Sequence, residues 1–461
     1  MNVLRLPRLA TLLALGALLC FTGPAARGAD RLNWDKKKDR VEAEIDTWPV
    51  PKVLQQITAA TGWKIFMDPA IKEVVRTKFK NKSPGDALQR LLGDLNYALL
   101  PQTNGTSKLL VFRSSQGDAT QPVPPPEVVA QKPANHIANE LIVTLKPGQK
   151  IEDIARQLGA KVIGRADGLN AYRLKFDDAD AAKWGRDSLL ANAAVEGVDY
   201  NYAIPRPVVA DPYSGSASGP PALRPKAVTD GKYVIVGLID SAVQPKEGNF
   251  SDFVLPSISV AGESKPGNNV PTHGTSMAET ILGSVAEMNA KGDGSIVRIL
   301  PVDVYGGNAS TTSFDVAYGI YKAINAGATI INLSLGSEGD STFLYDVIKS
   351  GHEQGVLFFA AAGNTPVTTP TYPAAYPIVT AVTAQDPNGN ISTYANRGTF
   401  VDVAAPGSSL ISFNGRNWIT TGTSTSTATT TGMAAALAES SRKPLAEIEA
   451  TIRKTFAVKK P

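Results

Sequence analysis

Strands and helices alternate regularly through the second half of the chain, and this alternation restricts the possible folds more than any other feature. Residues 233–240 are almost all apolar, as in a central parallel strand that is buried on both faces. Helices are predicted at residues 275–285, 312–325 and 342–353. Further strands are predicted between them, at residues 298–304, 329–333 and 355–361. We therefore expect an α/β fold with a doubly wound, mostly parallel sheet over residues 231–461, and a ligand site beyond the carboxyl ends of its strands.

Four polar residues stand where such a site is expected. Asp240 ends the first strand, and Asn364 follows the buried segment FFAAAG. His273 lies near the start of a predicted helix, in PTHGTSMAETI. Ser424 lies in TGTSTSTA, ahead of an apolar helix whose N-terminus favours developing negative charge. Taken singly, each of these residues is also compatible with a structural role, as a turn residue or a helix cap.

Together, the segments HGTSMA, NLSLGS, AAAGN and TGTS occur in an order that resembles the subtilisin-like serine peptidases, the subtilase family. The resemblance covers residues 225–461, and in that family the triad runs Asp, His, Ser along the chain. It implies that Ser424 is the nucleophile, His273 the general base and Asp240 the residue that orients the imidazole. It also implies that Asn364 and the backbone N–H of Ser424 form the oxyanion hole.

The same resemblance implies a groove for an extended protein or peptide substrate. The segment Ser334-Leu335-Gly336 matches the edge whose backbone pairs with substrate in the family, and Gly306-Gly307 is expected at the opposite edge. Main-chain hydrogen bonds supply much of the binding when a peptide adds as a strand. Neither a cofactor nor a metal is expected, because no convincing acidic cluster is found and the short catalytic domain suggests that the calcium sites of the family are lost.

Some residues depart from the family pattern and keep an alternative open. Ser241-Ala242 stands where Thr-Gly is usual, Ala428 replaces a usual proline, and residues 425–431 are unusually rich in threonine. The alternative is a binding or regulatory protein on a subtilisin scaffold, with weak or lost catalysis. An esterase of the α/β-hydrolase type is rejected, because Ser424 lacks the Gly-x-Ser-x-Gly elbow and both its partners precede it.

A small α+β domain is predicted directly before the catalytic domain, at residues 139–207. Its elements follow the order β-α-β-β-α-β, which is a ferredoxin-like plan. The segments ELIVTLKPGQ, DIARQLGAKV and VEGVDYNY resemble the propeptide of subtilisin-like peptidases. The resemblance implies a domain that assists folding and blocks the active-site cleft as an intramolecular inhibitor. A linker at residues 208–230, rich in Pro, Gly, Ser and Ala, is the expected place of the maturation cut.

A second small α+β domain is predicted nearer the N-terminus, at residues 39–114, with the order β-α-β-β-α-β-β. The segments VPKVLQQITAATGWKIFMDPAI and FKNKSPGDALQRLLGDLNYAL resemble the secretin and TonB short N-terminal domain, a periplasmic module. A proline-rich linker is expected at residues 115–138.

The first 29 residues have the features of a secretory signal peptide. Arg5 and Arg8 precede the apolar run TLLALGALLCFT, and Ala26-Arg27-Gly28 offers a cleavage site. An uncleaved anchor is the alternative, but the run is short of the roughly 20 residues of a membrane span. We therefore expect a secreted or periplasmic protein with no stable membrane span after cleavage. The net charge of +4 is mild and forms no basic block, which argues against nucleic-acid binding.

Overall fold

The computed structural model describes residues 31–35, 38–100, 107–123, 136–215, 223–228, 232–246, 248–289, 292 and 294–458. The chain divides into two compact units, residues 1–132 and residues 133–461. The predicted signal peptide lies outside the described residues, as do parts of both predicted linkers. Among the described residues, no helix combines the length and the apolar character that crossing a membrane requires.

In the part that the structure describes, the first unit contains two short sheets and two α-helices. Its strands and helices are, in chain order, β1 (Arg31–Asp35), β2 (Arg40–Pro49), α1 (Val50–Thr61), β3 (Lys64–Met67), β4 (Val74–Lys82), α2 (Pro84–Leu92), β5 (Asn96–Leu100), β6 (Lys108–Phe112) and β7 (Gln121–Val123). The sheets have the strand orders β1-β2-β4 and β5-β6-β3-β7. The apolar faces of α1 and α2, including Leu54, Ile57, Leu88 and Leu91, pack in one core.

This unit extends beyond the predicted residues 39–114 at both ends. Strand β1 precedes them, and β7 lies inside the segment predicted as a proline-rich linker. Among the described strands, β7 is an edge strand that pairs with β3 alone. An edge position tolerates the missing N–H of a proline. Proline density alone therefore does not distinguish this strand from a linker.

The second unit begins with a small domain, residues 136–205. Its elements are β8 (His136–Leu145), α3 (Ile151–Gln157), β9 (Lys161–Ala166), β10 (Ala171–Lys175), α4 (Ala179–Leu190) and β11 (Val195–Pro205). The strands form an antiparallel sheet in the order β11-β8-β10-β9, the arrangement of a ferredoxin-like fold. Strand β8 begins three residues before the expected start of this domain, within the predicted linker.

The large domain, residues 232–458, is built on a parallel sheet of seven strands. The sheet has the order β14-β15-β13-β17-β18-β19-β20. These strands are β13 (Val234–Asp240), β14 (Ile258–Ser259), β15 (Val297–Asp303), β17 (Ile330–Leu333), β18 (Leu357–Ala361), β19 (Thr380–Gln385) and β20 (Val403–Pro406). The predicted doubly wound α/β fold is confirmed.

Helices cover both faces of this sheet. They are α5 (His273–Met288), α6 (Ser313–Asn325), α7 (Thr342–Glu353), α8 (Thr423–Ser441) and α9 (Leu445–Thr455). Alternate residues of β13 point to opposite faces, so Leu238 packs in one core with α5 and α8 while Ile239 packs in the other with α6 and α7. Three short strands, β12 (Asp211–Pro212), β21 (Ser408–Phe413) and β22 (Arg416–Thr421), form a separate sheet, and β16 (Ser310–Thr312) joins the sheet of the small domain.

The small domain contacts the N-termini of α6 and α7 through two side chains of β11. The Oδ1 atom of Asn201 accepts hydrogen bonds from the Ser313 hydroxyl and the Phe314 N–H, at 3.3 and 3.2 Å. The Oδ2 atom of Asp199 accepts from the Ser341 hydroxyl and the Phe343 N–H, at 2.7 and 3.0 Å. These bonds satisfy N–H groups that have no acceptor within their own helices.

An ion pair lies beside these caps. The guanidinium of Arg173 donates to the Asp315 carboxylate at 2.9 Å, and Asp315 lies in the first turn of α6. The contact between the small and large domains therefore combines hydrogen bonds to two helix N-termini with an ion pair.

Candidate active site

Asp240 and His273 are brought together at the carboxyl end of β13. Asp240 is the last residue of that strand and His273 is the first residue of α5, which Thr272 caps. The Nδ1 atom of His273 lies 2.9 Å from Oδ1 and 2.8 Å from Oδ2 of Asp240. Because a carboxylate can only accept, Nδ1 carries the hydrogen and the Nε2 lone pair is left free to act as a base.

The residue after the aspartate has a role that the sequence did not reveal. The Ser241 N–H and hydroxyl both donate to Oδ1 of Asp240, at 2.7 and 3.1 Å. The same hydroxyl accepts from the Gly274 N–H at 3.0 Å. A Cβ atom at Gly274 would lie 2.0 Å from the Ser241 carbonyl oxygen, so only glycine allows β13 and α5 to meet so closely. The departure at Ser241 thus keeps a hydroxyl that links strand and helix.

Ser424 is the second residue of α8, and the residue is 8% exposed. Its hydroxyl donates to the Ser334 carbonyl at 3.1 Å, and the Ser334 hydroxyl donates to the Ser424 carbonyl at 3.1 Å. No hydrogen bond between His273 and Ser424 is present among the described residues. Hydrogen bonds between a nucleophile and its base are often long or poorly aligned without substrate and tighten when substrate binds.

The amide of Asn364 is held in one orientation beside the start of α8. Its Oδ1 atom accepts from the Thr423 N–H at 2.9 Å and from the Thr423 hydroxyl at 3.0 Å. Its Nδ2 atom has no hydrogen-bond partner among the described residues, so that N–H group is available to an incoming oxygen. A Cβ atom at Gly422 would lie 3.0 Å from this nitrogen, which explains the glycine there.

Thr423 and Asn396 support the loop that carries Asn364, and neither was recognised as a supporting residue from the sequence. Thr423 orients the Asn364 amide, as described above. The Oδ1 atom of Asn396 accepts from the Thr365 N–H at 2.9 Å, and the Asn396 N–H donates to the Gly363 carbonyl at 2.9 Å. The motif TGTS contains Thr423 and offered a signal, whereas Asn396 is far away in sequence and offered none.

Most of the threonine-rich stretch after Ser424 is buried, and three of its hydroxyls pair within the same helix. The hydroxyls of Thr427, Thr430 and Thr431 each donate to the carbonyl four residues earlier, at 2.7, 2.8 and 2.8 Å. This local pairing is a usual way for a helix to bury hydroxyl groups. Residues 425–431 lie within α8 in spite of their threonine-rich composition.

The expected groove edges lie after β15 and β17, on either side of β13. Ser334, Leu335 and Gly336 follow β17, and a Cβ atom at Gly336 would lie 2.9 Å from the Tyr372 carbonyl oxygen. Gly306 follows β15 with a φ of +54°, where a Cβ atom would lie 2.4 Å from the Ala261 carbonyl oxygen. Gly307 has free space around it. Both Gly306 and Gly336 are thus required by a close backbone approach.

The chain itself lies along the edge that follows β15. Strand β11 pairs antiparallel with β16, with Ile204 opposite Thr311, and the Arg206 N–H donates to the Ala309 carbonyl at 2.9 Å. Further along, β12 pairs with β22, with Asp211 opposite Ile419. Residues 207–210 therefore run from the loop after β15 to the hairpin that leads into Ser424.

No group of three or more His, Cys, Asp or Glu side chains that could hold a metal ion occurs in the described part of the chain. The site chemistry available from these residues is that of a hydroxyl nucleophile, an imidazole base and amide hydrogen-bond donors.

Comparison with known proteins places the chain in a family. The model of the subtilase family matches residues 231–459, and that of the fervidolysin N-terminal prodomain matches residues 122–198. Thermitase of Thermoactinomyces vulgaris is 32% identical over 254 residues, which are 53% of this chain and 90% of thermitase. The thermophilic serine proteinase of Bacillus sp. (strain AK1) is 32% identical over 225 residues, which are 48% of this chain but only 55% of that protein.

A solved structure shows the same fold. The crystal structure of fervidolysin from Fervidobacterium pennivorans, described as a keratinolytic enzyme related to subtilisin, is matched with a TM-score of 0.50 and 22% identity. The match covers 65% of this chain and 54% of fervidolysin. The chain belongs to the subtilase family. It is a serine endopeptidase of that family with a prodomain-like region before its catalytic domain.

These comparisons do not support the resemblance of residues 39–114 to the secretin and TonB short N-terminal domain. That resemblance stays a prediction.

Proposed function

We propose that the protein is an exported serine endopeptidase that is made as a self-inhibited precursor and cuts peptide bonds with Asp240, His273 and Ser424. The observation that carries this proposal is the buried pairing of Asp240 with Nδ1 of His273 at the carboxyl end of β13. It leaves Nε2 as the basic nitrogen of the imidazole.

Each of these groups has a role in the proposed reaction. The Ser424 oxygen attacks the scissile carbonyl carbon while Nε2 of His273 takes the hydroxyl proton. The negative charge that forms on the carbonyl oxygen is stabilised by Nδ2 of Asn364 and by the Ser424 N–H at the start of α8. The C–N bond then breaks, and the imidazolium gives its proton to the leaving amine. Water, deprotonated by the same imidazole, hydrolyses the acyl-enzyme and restores the Ser424 hydroxyl.

The small domain is proposed to act as the inhibitor and to be cut from the catalytic domain. Three features support this role: its match to the fervidolysin prodomain, its caps on α6 and α7, and its last strand along β16. A strand that pairs with β16 fills the edge where an extended substrate would bind, so substrate cannot enter while it stays. The predicted domain limits, 139–207 for the inhibitor and 231–461 for the enzyme, are part of this proposal.

Export is supported by the signal-like sequence of residues 1–29 and by a relative in Bacillus subtilis that is named a minor extracellular protease. We propose a secreted or periplasmic location, and a periplasmic-type accessory domain at residues 39–114.

One observation favours a second candidate function. The Ser424 hydroxyl donates to the Ser334 carbonyl and forms no bond with His273 among the described residues. A subtilisin scaffold whose nucleophile stays in this position would bind peptides and cut them poorly.

The deciding experiment compares the protein without residues 1–29 with its Ser424→Ala variant, by gel electrophoresis and intact-mass spectrometry. We expect the parent to cut itself after the small domain and then to hydrolyse casein, while Ser424→Ala stays whole. If both stay whole, and neither hydrolyses casein after limited nicking of the linker by another protease, the second candidate replaces the first.

A further inference from the structure

The side chain of Arg206 is held by the loop after β15. Its Nη2 atom donates to the Gly306 carbonyl at 2.8 Å and to the Asn308 carbonyl at 2.7 Å. Its Nε atom donates to the same Asn308 carbonyl at 2.9 Å. The guanidinium carbon lies 5.1 Å from the centre of the Tyr305 ring, which is within the range of a cation–π contact. The Nε and Nη2 atoms of the guanidinium therefore both donate to the loop.

The loop is built to offer these partners. The buried Asp303 carboxylate accepts the Tyr305 and Gly306 N–H groups, both at 2.9 Å. The Asn308 N–H and its side-chain amide both donate to the Tyr305 carbonyl, each at 3.0 Å. These bonds engage the donors of Tyr305, Gly306 and Asn308 within the loop. The Gly306 and Asn308 carbonyls accept instead from the arginine, which supplies several donors in a fixed fork.

Charge adds to this geometry. Burial raises the pKa of Asp303, while the Tyr305 and Gly306 N–H groups and the nearby cation of Arg206 lower it. An anion that is 3% exposed and close to a bound cation attracts that cation through a partly apolar medium, where the attraction is stronger than in water.

The backbone of Arg206 lies where a bound peptide would lie. Its N–H group donates to the Ala309 carbonyl and so extends the ladder that joins β11 to β16. The residue two positions earlier, Ile204, pairs with Thr311 and is buried in the same core as Tyr305 and Leu335. The chain then continues toward the hairpin that leads into Ser424, as a substrate would.

We propose that the loop of residues 303–308 is an arginine-binding subsite, and that the peptidase prefers substrates with an arginine at the place that Arg206 now occupies. This inference rests on the proposed function, since it names the peptides that the same site selects. When the small domain leaves, the Gly306 and Asn308 carbonyls and the Tyr305 ring become free to bind the arginine of another chain.

A competition experiment tests the subsite directly. The self-cleaved enzyme, freed of the small domain, is assayed on labelled casein in the presence of a peptide that copies residues 202–213, YAIPRPVVADPY. The same peptide is made with citrulline or lysine in place of arginine, and with threonine in place of Val208, which is 80% exposed. Competition measures occupancy of the groove whether or not the peptide is cut.

We expect the citrulline peptide to inhibit casein hydrolysis at least about tenfold more weakly than the arginine peptide. The reason is that hydrogen bonds from a charged donor are stronger than those from a neutral one. Inhibition by the lysine peptide should be intermediate between these two, and inhibition by the Val208→Thr peptide should equal that by the arginine peptide. Equal inhibition by the arginine and citrulline peptides overturns the subsite, and the proposed function stands if casein hydrolysis depends on Ser424. Absence of hydrolysis that depends on Ser424 overturns the proposed function and the subsite together.

A matched pair of full-chain variants provides a second test. Arg206→Gln removes the guanidinium from the groove, whereas Arg165→Gln removes an exposed arginine of the small domain that pairs with Glu152. We expect the cut small domain to dissociate from the catalytic domain about tenfold faster in the Arg206→Gln variant than in the Arg165→Gln variant. Equal rates in the two variants contradict the proposal.

Discussion

The Nδ1 atom of His273 lies within hydrogen-bond distance of both carboxylate oxygens of Asp240, at 2.9 and 2.8 Å, and both side chains are buried. A fully buried carboxylate is costly unless it is paired, and here the imidazole and the two groups of Ser241 satisfy it. The arrangement leaves only one tautomer of His273 that can donate to Asp240.

Replacing Asp240 by asparagine should therefore remove most of the activity without disturbing the fold. The new amide can donate to Nδ1 and so favours the wrong tautomer. We expect kcat to fall by about 10⁴-fold, the loss known for this change in another serine protease. Steady-state kinetics on a peptide substrate measure it, with the exposed Asp252→Asn as a control that should keep normal activity. A loss below tenfold contradicts the assigned role of Asp240.

The proposed oxyanion donor can be tested by two substitutions at Asn364. Asn364→Ala should lower kcat by about 10²–10³-fold with little change in KM, the loss seen when such a donor is removed from subtilisin itself. Asn364→Asp keeps an acceptor for Thr423 but places a negative charge beside the forming oxyanion, so kcat should fall further. Asn388→Ala, at an exposed turn, is the control. Unchanged kcat in Asn364→Ala excludes Asn364 as a donor.

Substitutions at Gly422 and Gly389 distinguish the effect of backbone strain on stability from the effect of a displaced Asn364 amide on catalysis. Gly422 has a φ of 146° and faces the Asn364 amide, while Gly389 has a φ of 82° with no atom near its missing Cβ. Each substitution to alanine should lower the free energy of unfolding by about 1–3 kcal/mol. Only Gly422→Ala should also lower kcat, because its methyl group displaces the Asn364 amide. Denaturant unfolding and kinetics on both variants check this; equal kcat values would refute it.

The pH dependence of the contact between the domains follows from Asp199. Burial raises the pKa of this carboxyl above its usual range, although the bonds from Phe343 and Ser341 oppose the shift. A group whose pKa is raised in the complex stabilises the complex at low pH, and this contribution is lost as the pH rises through the raised pKa. The cut small domain should therefore dissociate more easily as the pH rises above about 4, the usual range of an aspartate pKa.

Asp199→Asn provides the control for this prediction, since asparagine caps a helix about as well as aspartate but does not titrate. Dissociation rates of the small domain, measured by gel filtration over the same rise in pH, should depend on pH less in Asp199→Asn than in the parent. The same dependence in both proteins would assign the effect to other groups.

The sequence predicts the large domain well because its signals are local. Helix α7 begins and ends at the predicted residues, 342 and 353, and β13 differs from its prediction by one residue. Buried parallel strands and amphipathic helices carry their periodicity in the adjacent residues themselves. The triad candidates were likewise marked by the short segments around them.

Features that depend on distant parts of the chain could not be predicted in the same way. The sequence of strand β7 alone predicts a linker, and only its pairing with β3 shows that it is a strand. The contact of Arg206 with Gly306 and Asn308 joins residues that are about 100 apart in sequence. Asn396 supports the Asn364 loop from more than 30 residues away. Such partners are fixed by the folded topology and not by local pattern.

The central claim is that Ser424 is a nucleophile activated by His273, and covalent labelling tests it most directly. The self-cleaved protein is treated with a fluorophosphonate, digested, and mapped by mass spectrometry. The account predicts one modified residue, Ser424, with labelling abolished in Ser424→Ala and greatly slowed in His273→Ala. Labelling of a different serine, or none in protein that is folded and freed of its small domain, would contradict it.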